Sequence, residues 1–439
     1  MGSPPVSGPN FPLPPSPKGS AREQVRDPLS YFLTLVSQHG DVVCYRSAPE
    51  PAYLVNHPDA IRHILVDNAR NYSKETFINQ KFRAAVGDGL LTSEGAAWRR
   101  QRQLLQPAFN YRQLAYLDAI VTGKTARLLE RWRGFAQRGE ALDLSSEMSS
   151  LTLSITTQAL FGVDLGREMD QVGQAVDMAG DLLEKPNSTR FKTALESIQT
   201  IVERIIQERQ QLTNGKQDLL ATMLQARDPE TGRGLDPLEL RGQVETLLLA
   251  GYETTANALT WTWYLLAQHP ECMQRLQAEL SQALGGRIPT FQDLERLQYT
   301  RMVFEEALRI YPPAWVLGRR ALADDVVGGF RTPAGTIIAI SPYTVHRHPD
   351  FWDRPHDFCP ERFADRRAVP RHRFAYLPFG AGQRKCIGNN MALIEAQLII
   401  AMLAREFSFS LVSAQPVKPQ PIFILRPASP VLCRLIPIE

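Results

Sequence analysis

Apolar residues recur every three or four positions through QLAYLDAIVTGKTARLLERWRGFA (113–136) and RFKTALESIQTIVERIIQERQQL (190–212), the repeat of one helical face. The same texture dominates from about Glu94 to Ala267. Its longest member is expected from Asp236 to Gln268, opening on Asp-Pro, with the proline at the first helical position where its missing N–H is no loss. Further helices are predicted to about Tyr311. Strand-like runs flank this block. DVVCYRS (41–47) and AYLVNH (52–57) come before a small helix after Pro58, and DDVVGGFRTPAGTIIAISPYTVHRHPD (324–350) reads as hairpins. Proline-rich irregular chain follows from about Pro349 to Phe379, then one helix after Cys386 and a strand-like end over 407–435. No internal repeat is visible. The pattern predicts a fold that is mainly α with small β-sheets, as a single domain over 21–439 behind a flexible proline-rich N-terminus, 1–20.

Composition changes this picture little. The chain is 44% hydrophobic and 22% charged over 439 residues, ordinary for a globular protein with a large core. Lys and Arg number 49 against 46 Asp and Glu, a net +3 that gives no reason to expect nucleic acid. The lead MGSPPVSGPNFPLPPSPKG has no apolar signal core and no stretch long enough for a membrane anchor. Five cysteines, Cys44, Cys272, Cys359, Cys386 and Cys433, form no CxxC pair. An odd, sparse set fits a reducing compartment, so a soluble cytoplasmic protein is expected. The eight histidines show no metal-ligand spacing, and HRH (346–348) reads as a loop-like structural pair.

One cysteine stands apart. In PFGAGQRKCIGNN (378–390), glycines at 380 and 382 allow a tight turn at positive φ, and Cys386 stands just before a helix. A helix N-terminus offers amide donors and a positive dipole end, which favour thiolate over thiol. Arg384 can pair with a carboxylate, and Gly388 lets the helix lie against something broad. A buried structural cysteine in a glycine-rich turn is the ordinary alternative. A dinucleotide loop is another, but Lys385 occupies the position of its third glycine.

The full spacing, Phe379-x-x-Gly382-x-Arg384-x-Cys386-x-Gly388, resembles the heme-binding signature of the cytochrome P450 family. Other stretches resemble that family's motifs in order, over nearly the whole chain from about residue 25. WRRQR carries Trp98 and Arg102, AGYETT spans 250–255, EEALRIYPP carries Glu306 and Arg309, and PERF carries Arg362. The resemblance implies the cytochrome P450 fold, with heme between a long distal helix and a proximal cysteine-loop helix. It implies heme b (iron protoporphyrin IX) with Cys386 as the metal ligand, and Phe379, Gly380, Arg384 and Gly388 in the loop around it. Trp98 and Arg102 would meet the propionates, and the small residues Ala250 and Gly251 would leave room for oxygen. Glu253 and Thr254 resemble an acid–alcohol pair, Thr254 holding dioxygen by a hydrogen bond and Glu253 passing protons in through water. A threonine bonding its own i−4 carbonyl is the alternative for Thr254. Glu306, Arg309 and Arg362 would form a buried structural charge network.

The implied function is a monooxygenase that inserts one oxygen atom of O2 into a lipophilic substrate: a terpenoid, carotenoid, fatty acid or polyketide-like molecule. AGYETTANALTW, LRIYPPAWVLGRR and SPY look like members acting on long lipids. Ala314, Trp315, Val316, Ile422 and Phe423 match substrate-pocket positions, and 74–92 and 163–195 match the pocket roof. No Walker loop, dinucleotide fingerprint or flavin domain is present in the sequence, so an external ferredoxin or flavodoxin with its NAD(P)H reductase is implied. Arg99, Arg100 and Lys385 are candidate docking cations for such an acidic partner. A monomer is expected. The alternatives are a heme-thiolate peroxygenase or isomerase and a non-catalytic heme-binding sensor. The acid–threonine pair argues against the first, and a sensor would need neither a proton relay nor external electrons.

Overall fold

A computed structural model describes residues 11–17, 26–46, 51–164, 189–211, 218–364 and 372–438. The flexible lead expected over 1–20 and the roof segment 163–195 fall largely outside these residues. Helix α1 (Pro28–His39) is an addition to the sequence reading: the Asp27 side chain accepts Ser30 N–H, Pro28 opens the helix, and Gly40 at φ 89° ends it. Strands β1 (Val42–Arg46) and β2 (Pro51–Val55) and helix α2 (Pro58–Arg62) follow as predicted. A π-helical turn, His63–Asp67, leads to the short β3 (Tyr72–Ser73).

The helical block comprises α3 (Phe77–Val86), α4 (Gly95–Leu105), α5 (Leu117–Arg138), α6 (Leu144–Phe161), α7 (Thr189–Gln211), α8 (Leu219–Gln225), α9 (Pro237–Gln268), α10 (Pro270–Leu284) and α11 (Gln298–Ile310). Among the described residues, one short strand, β4 (Ala141–Asp143), interrupts it. The start of α9 is the one expected. Asp236 caps it, accepting Leu238 and Glu239 N–H at 2.9 and 2.8 Å, while Glu239 accepts Asp236 N–H at 3.0 Å. Beyond it come β5 (Leu317–Ala321), β6 (Asp325–Val327), β7 (Phe330–Thr332), β8 (Ile337–Ile340) and α12 (Pro342–Val345). After irregular chain, α13 (Asn389–Ala404) precedes β9 (Phe407–Leu411), β10 (Pro419–Pro421), β11 (Leu425–Pro427) and β12 (Leu432–Pro437). No helix among the described residues is long and apolar enough to cross a membrane.

The chain divides into two compact units. The first holds Met1–Gln80, Leu308–Phe358 and Asp365–Cys386. Its sheet has the order β1-β2-β8-β5-β3, and β2 pairs with β8 in parallel (Leu54 opposite Ala339), bringing remote segments together. Val55, Ile61, Ile338, Ile340 and Leu377 are buried in its core. Asp325 braces the π-turn, accepting from His63 Nε2, Asn68 Nδ2 and Tyr72 Oη at 2.8, 2.9 and 2.6 Å. The second unit holds Lys81–Ala307, Cys359–Ala364 and Ile387–Glu439. Within it α9 packs along α6, and the Trp263 ring stacks on Phe409 at 4.7 Å. Its largest sheet is β4-β12-β9. All but one of the residues of α13 from Ile394 to Ala404 contribute apolar or neutral surface to this interior; Glu395 is the buried acid among them.

Candidate active site

In the first unit, the cysteine loop is a closed backbone turn. Leu377 O accepts Gly380 N–H at 3.0 Å, and Phe379 O accepts Cys386 N–H at 2.9 Å. Gly380 and Gly382 take φ of 64° and 69°, the left-handed conformation the spacing predicted. Gly382 is constrained further: a Cβ there would lie 2.0 Å from the Leu65 carbonyl oxygen of the π-turn. The loop therefore rests directly on the turn that Asp325 braces. Cys386 is exposed and in no disulfide, and Phe379 and Arg384 are half-buried. Gly388 caps α13 at an ordinary φ of −86°.

The donor set limits what this loop could hold. Among the described residues, no three His, Cys, Asp or Glu side chains cluster to hold a metal ion. A single cysteine fits an iron that brings its equatorial ligands with it, as in heme, and needs one axial donor from protein. The residues present fit that group.

In the second unit, most of α9 is buried, but Ala250 is exposed and Glu253, Thr254 and Asn257 are half-buried. These positions follow i, i+3, i+4, i+7, so they share one face. Thr254 Oγ1 donates to Ala250 O at 2.9 Å, and Asn257 Nδ2 donates to Glu253 O at 2.9 Å. The Thr254 hydroxyl thus turns lone pairs outward and can donate only by releasing its own helix. Asn257 extends the stripe and was not picked out in the sequence. Its signal was an amide one turn beyond Glu253 in an otherwise apolar run.

At Gly251 a Cβ would meet Thr156 Cγ2 of α6 at 2.9 Å, so its smallness lets α9 and α6 approach each other, with Tyr252 O accepting from Thr152 Oγ1 at 3.1 Å. Of the two small residues, Ala250 is the one on the accessible stripe. On α4, Trp98 is buried and Arg102 half-buried, one turn apart. Arg100 Nη1 bonds Glu239 at 2.8 Å and its Nη2 the Gly234 carbonyl, so it serves the cap of α9. Arg99 and Lys385 are exposed.

Glu306 and Arg309, one turn apart on α11, are fully buried, with different partners in each unit. In the second unit, Glu306 Oε1 accepts from Cys359 N at 2.9 Å and Arg362 Nε at 3.1 Å. In the first, Arg309 donates to the carbonyls of His346, Pro355 and Asp357 at 3.0, 2.6 and 2.9 Å and lies over the Trp352 ring. Of the expected pocket residues, Ala314 and Val316 are half-buried. Trp315 is turned instead into the first unit's core, 6.0 Å from the Phe32 ring, because an indole this large gains most by burial. Ile422 is half-buried, and Phe423 is exposed on one side with its ring 4.0 Å from that of Phe82.

The model of the family described as Cytochrome P450 matches residues 18–434. Cyclooctatin synthase of Streptomyces melanosporofaciens is 38% identical over 435 residues, 95% of this chain and 93% of that protein. Cyclooctat-9-en-7-ol 5-monooxygenase of the same organism is 38% identical over 394 residues, 86% of this chain and 84% of its own. The crystal structure of the cytochrome P450DA heme domain aligns with a TM-score of 0.90 at 27% identity, covering 98% of each chain.

Proposed function

The chain belongs to the cytochrome P450 family and is a heme monooxygenase, and from that premise we propose a cyclic, terpenoid-like substrate, Cys386 as the protein ligand of the heme iron and an external ferredoxin or flavodoxin as electron donor. The reaction is R–H + O2 + 2e⁻ + 2H⁺ giving R–OH and water, on a lipophilic substrate. The closed turn that presents the exposed Cys386 thiol as a lone donor carries this reading. Heme bound through a cysteine thiolate supplies O–O cleavage, because the sulfur pushes electron density onto iron.

The chain's own residues take the remaining roles. Phe379, Gly380 and Gly382 hold the loop, and Arg384, Trp98 and Arg102 would hold the propionates of heme b. Gly388 caps α13 two residues after the ligand in sequence. Thr254 positions oxygen on the accessible stripe beside Ala250, and Glu253 moves protons to it. Glu306, Arg309 and Arg362 hold irregular chain in place. The unbroken family match supports treating 21–439 as one catalytic domain with 1–20 as its flexible lead. We read it as a cytoplasmic protein, on an odd and sparse set of five cysteines without a CxxC pair, and as a monomer.

The substrate class draws on a relative whose name specifies oxygenation at position 5 of an unsaturated alcohol. Ala314, Val316, Ile422 and Phe423 are the residues assigned to substrate contact, and all are apolar. A fatty acid carboxylate against them would lose its hydration without a partner. Cyclic terpenoid alcohols should therefore shift the heme absorbance with a Kd about 10-fold below that of a long fatty acid, about 1.4 kcal/mol. Tighter binding of the fatty acid would reverse the assignment. The purified chain alone should not couple NADPH oxidation to product. Adding a ferredoxin or flavodoxin with its reductase should restore coupling, and product from the chain and NADPH alone would exclude the external donor.

Thr254 gives a further expectation. Thr254→Ala should keep heme binding and electron uptake, while product per NADPH falls about 100-fold and hydrogen peroxide rises, the lower end of what a positioned proton-handling group contributes. Thr254→Ser should recover most of the coupling. Glu253→Gln should slow turnover instead, since proton delivery becomes limiting. Wild-type coupling in Thr254→Ala would leave Thr254 as a helix residue bonded to its own backbone.

A further inference from the structure

His346 lies outside every motif used for the heme assignment, yet it joins two of them. Its side chain is fully buried, with rings of Tyr376 and Trp352 at 5.2 and 6.3 Å. Nε2 stands 2.8 Å from the Leu377 backbone nitrogen, and Nδ1 stands 3.1 Å from the Arg309 carbonyl oxygen. An amide nitrogen only donates, so Nε2 carries the lone pair and the proton sits on Nδ1, directed at Arg309 O. Arg309 grips the same residue in return, its Nη1 donating to His346 O at 3.0 Å.

Leu377 begins the cysteine loop. Its carbonyl holds Gly380 N–H, and Phe379, two residues on, holds Cys386 N–H. The imidazole is therefore the buried link in a short path: α11 to His346, His346 to Leu377, and from the base of the loop to the amide of Cys386. Few side chains could take its place. The site needs an acceptor and a donor at opposite ends of a rigid group, between two backbone positions that are far apart in sequence.

We infer that His346 is a positioning residue for the Cys386 ligand, fixing the base of its loop against the end of α11 and so the direction in which the sulfur is presented. This rests on the reading of Cys386 as axial ligand. A structural histidine with no such task would affect stability alone.

The test compares His346→Leu, His346→Asn and His346→Gln in the heme-loaded protein. His346→Leu removes both bonds at similar bulk. It should move more than half of the reduced carbon monoxide complex from the long-wavelength Soret band of a thiolate ligand to a shorter-wavelength band. Amide hydrogen exchange at Leu377 should quicken by about 10-fold, the effect of losing one ordinary hydrogen bond. His346→Gln, with one acceptor and one donor on a longer side chain, should recover both signals. If His346→Leu takes up no heme, His346→Asn decides, since its shorter carboxamide cannot span both partners and should show the band shift in part. A full long-wavelength band in heme-loaded His346→Leu, or failing that in His346→Asn, overturns the inference, whatever the melting temperature does. Failure of the underlying reading looks different: Cys386→His would then leave the wild-type spectrum unchanged.

Discussion

Cys386→His is expected to abolish the long-wavelength band of the reduced carbon monoxide complex and to lower product formation by about three orders of magnitude, roughly 4 kcal/mol in the barrier. The reason is electronic. A neutral imidazole can ligate iron, but it lacks the negative sulfur that favours O–O cleavage. It is also longer than a cysteine, in a turn whose backbone is closed by the Phe379–Cys386 hydrogen bond and seated on Leu65 through Gly382. The same measurement on the other cysteines provides the control. Burial pushes the Cys433 thiol up to about 12 and raises that of Cys272. Cys359 is raised by burial and by its hydrogen bond to Glu361. These three are held as thiols, and Cys44 lies in β1, paired with β2. Alanine at any of the four should leave the band in place. An unchanged spectrum in Cys386→His, or its loss in another cysteine variant, would move the ligand elsewhere.

How far the sequence carried this reading depended on whether the information was local. The start of α9 was legible because its cap, Asp236, Pro237 and Glu239, lies within four residues and acts through its own backbone. The positive φ at Gly380 and Gly382 was legible for the same reason. Helix α1 escaped notice beside a proline-rich lead, although Asp27 and Pro28 mark its start. Gly251 and Arg100 stand out in the sequence, but their neighbours Thr156 and Glu239 are distant in it and carry no local signal. The positioning role of His346 could not be read this way, although HRH itself stands out. Its partners are backbone groups 37 and 31 residues away, and a carbonyl or an amide leaves no residue type for a pattern to register.

Glu306→Ala should destabilise the folded chain by about 3–5 kcal/mol and leave little heme-loaded protein, because removing one member of a buried pair strands the other. Glu306 is fully buried on α11 and Arg362 nearly so, at 8% side-chain exposure, with Nε 3.1 Å from the carboxylate. The same oxygen takes the Cys359 N–H, so alanine leaves a guanidinium and a backbone donor short of their acceptor. The wider reason is that the chain over 346–362 is largely irregular and has no ladder to satisfy its backbone groups. Side chains do it instead: Glu306 takes the amide of Cys359, and Arg309 takes the carbonyls of His346, Pro355 and Asp357. Glu306→Gln should fall between wild type and alanine, since an amide oxygen still accepts but carries no charge to oppose Arg362. Arg309→Lys should also be harmful, because one ammonium cannot reproduce a planar fork serving three carbonyls. The measurements are heme absorbance per protein and the denaturant midpoint of each variant. Glu306→Ala protein with full heme content and the wild-type midpoint would remove the structural role of the pair, and a catalytic one would then have to be sought in turnover alone.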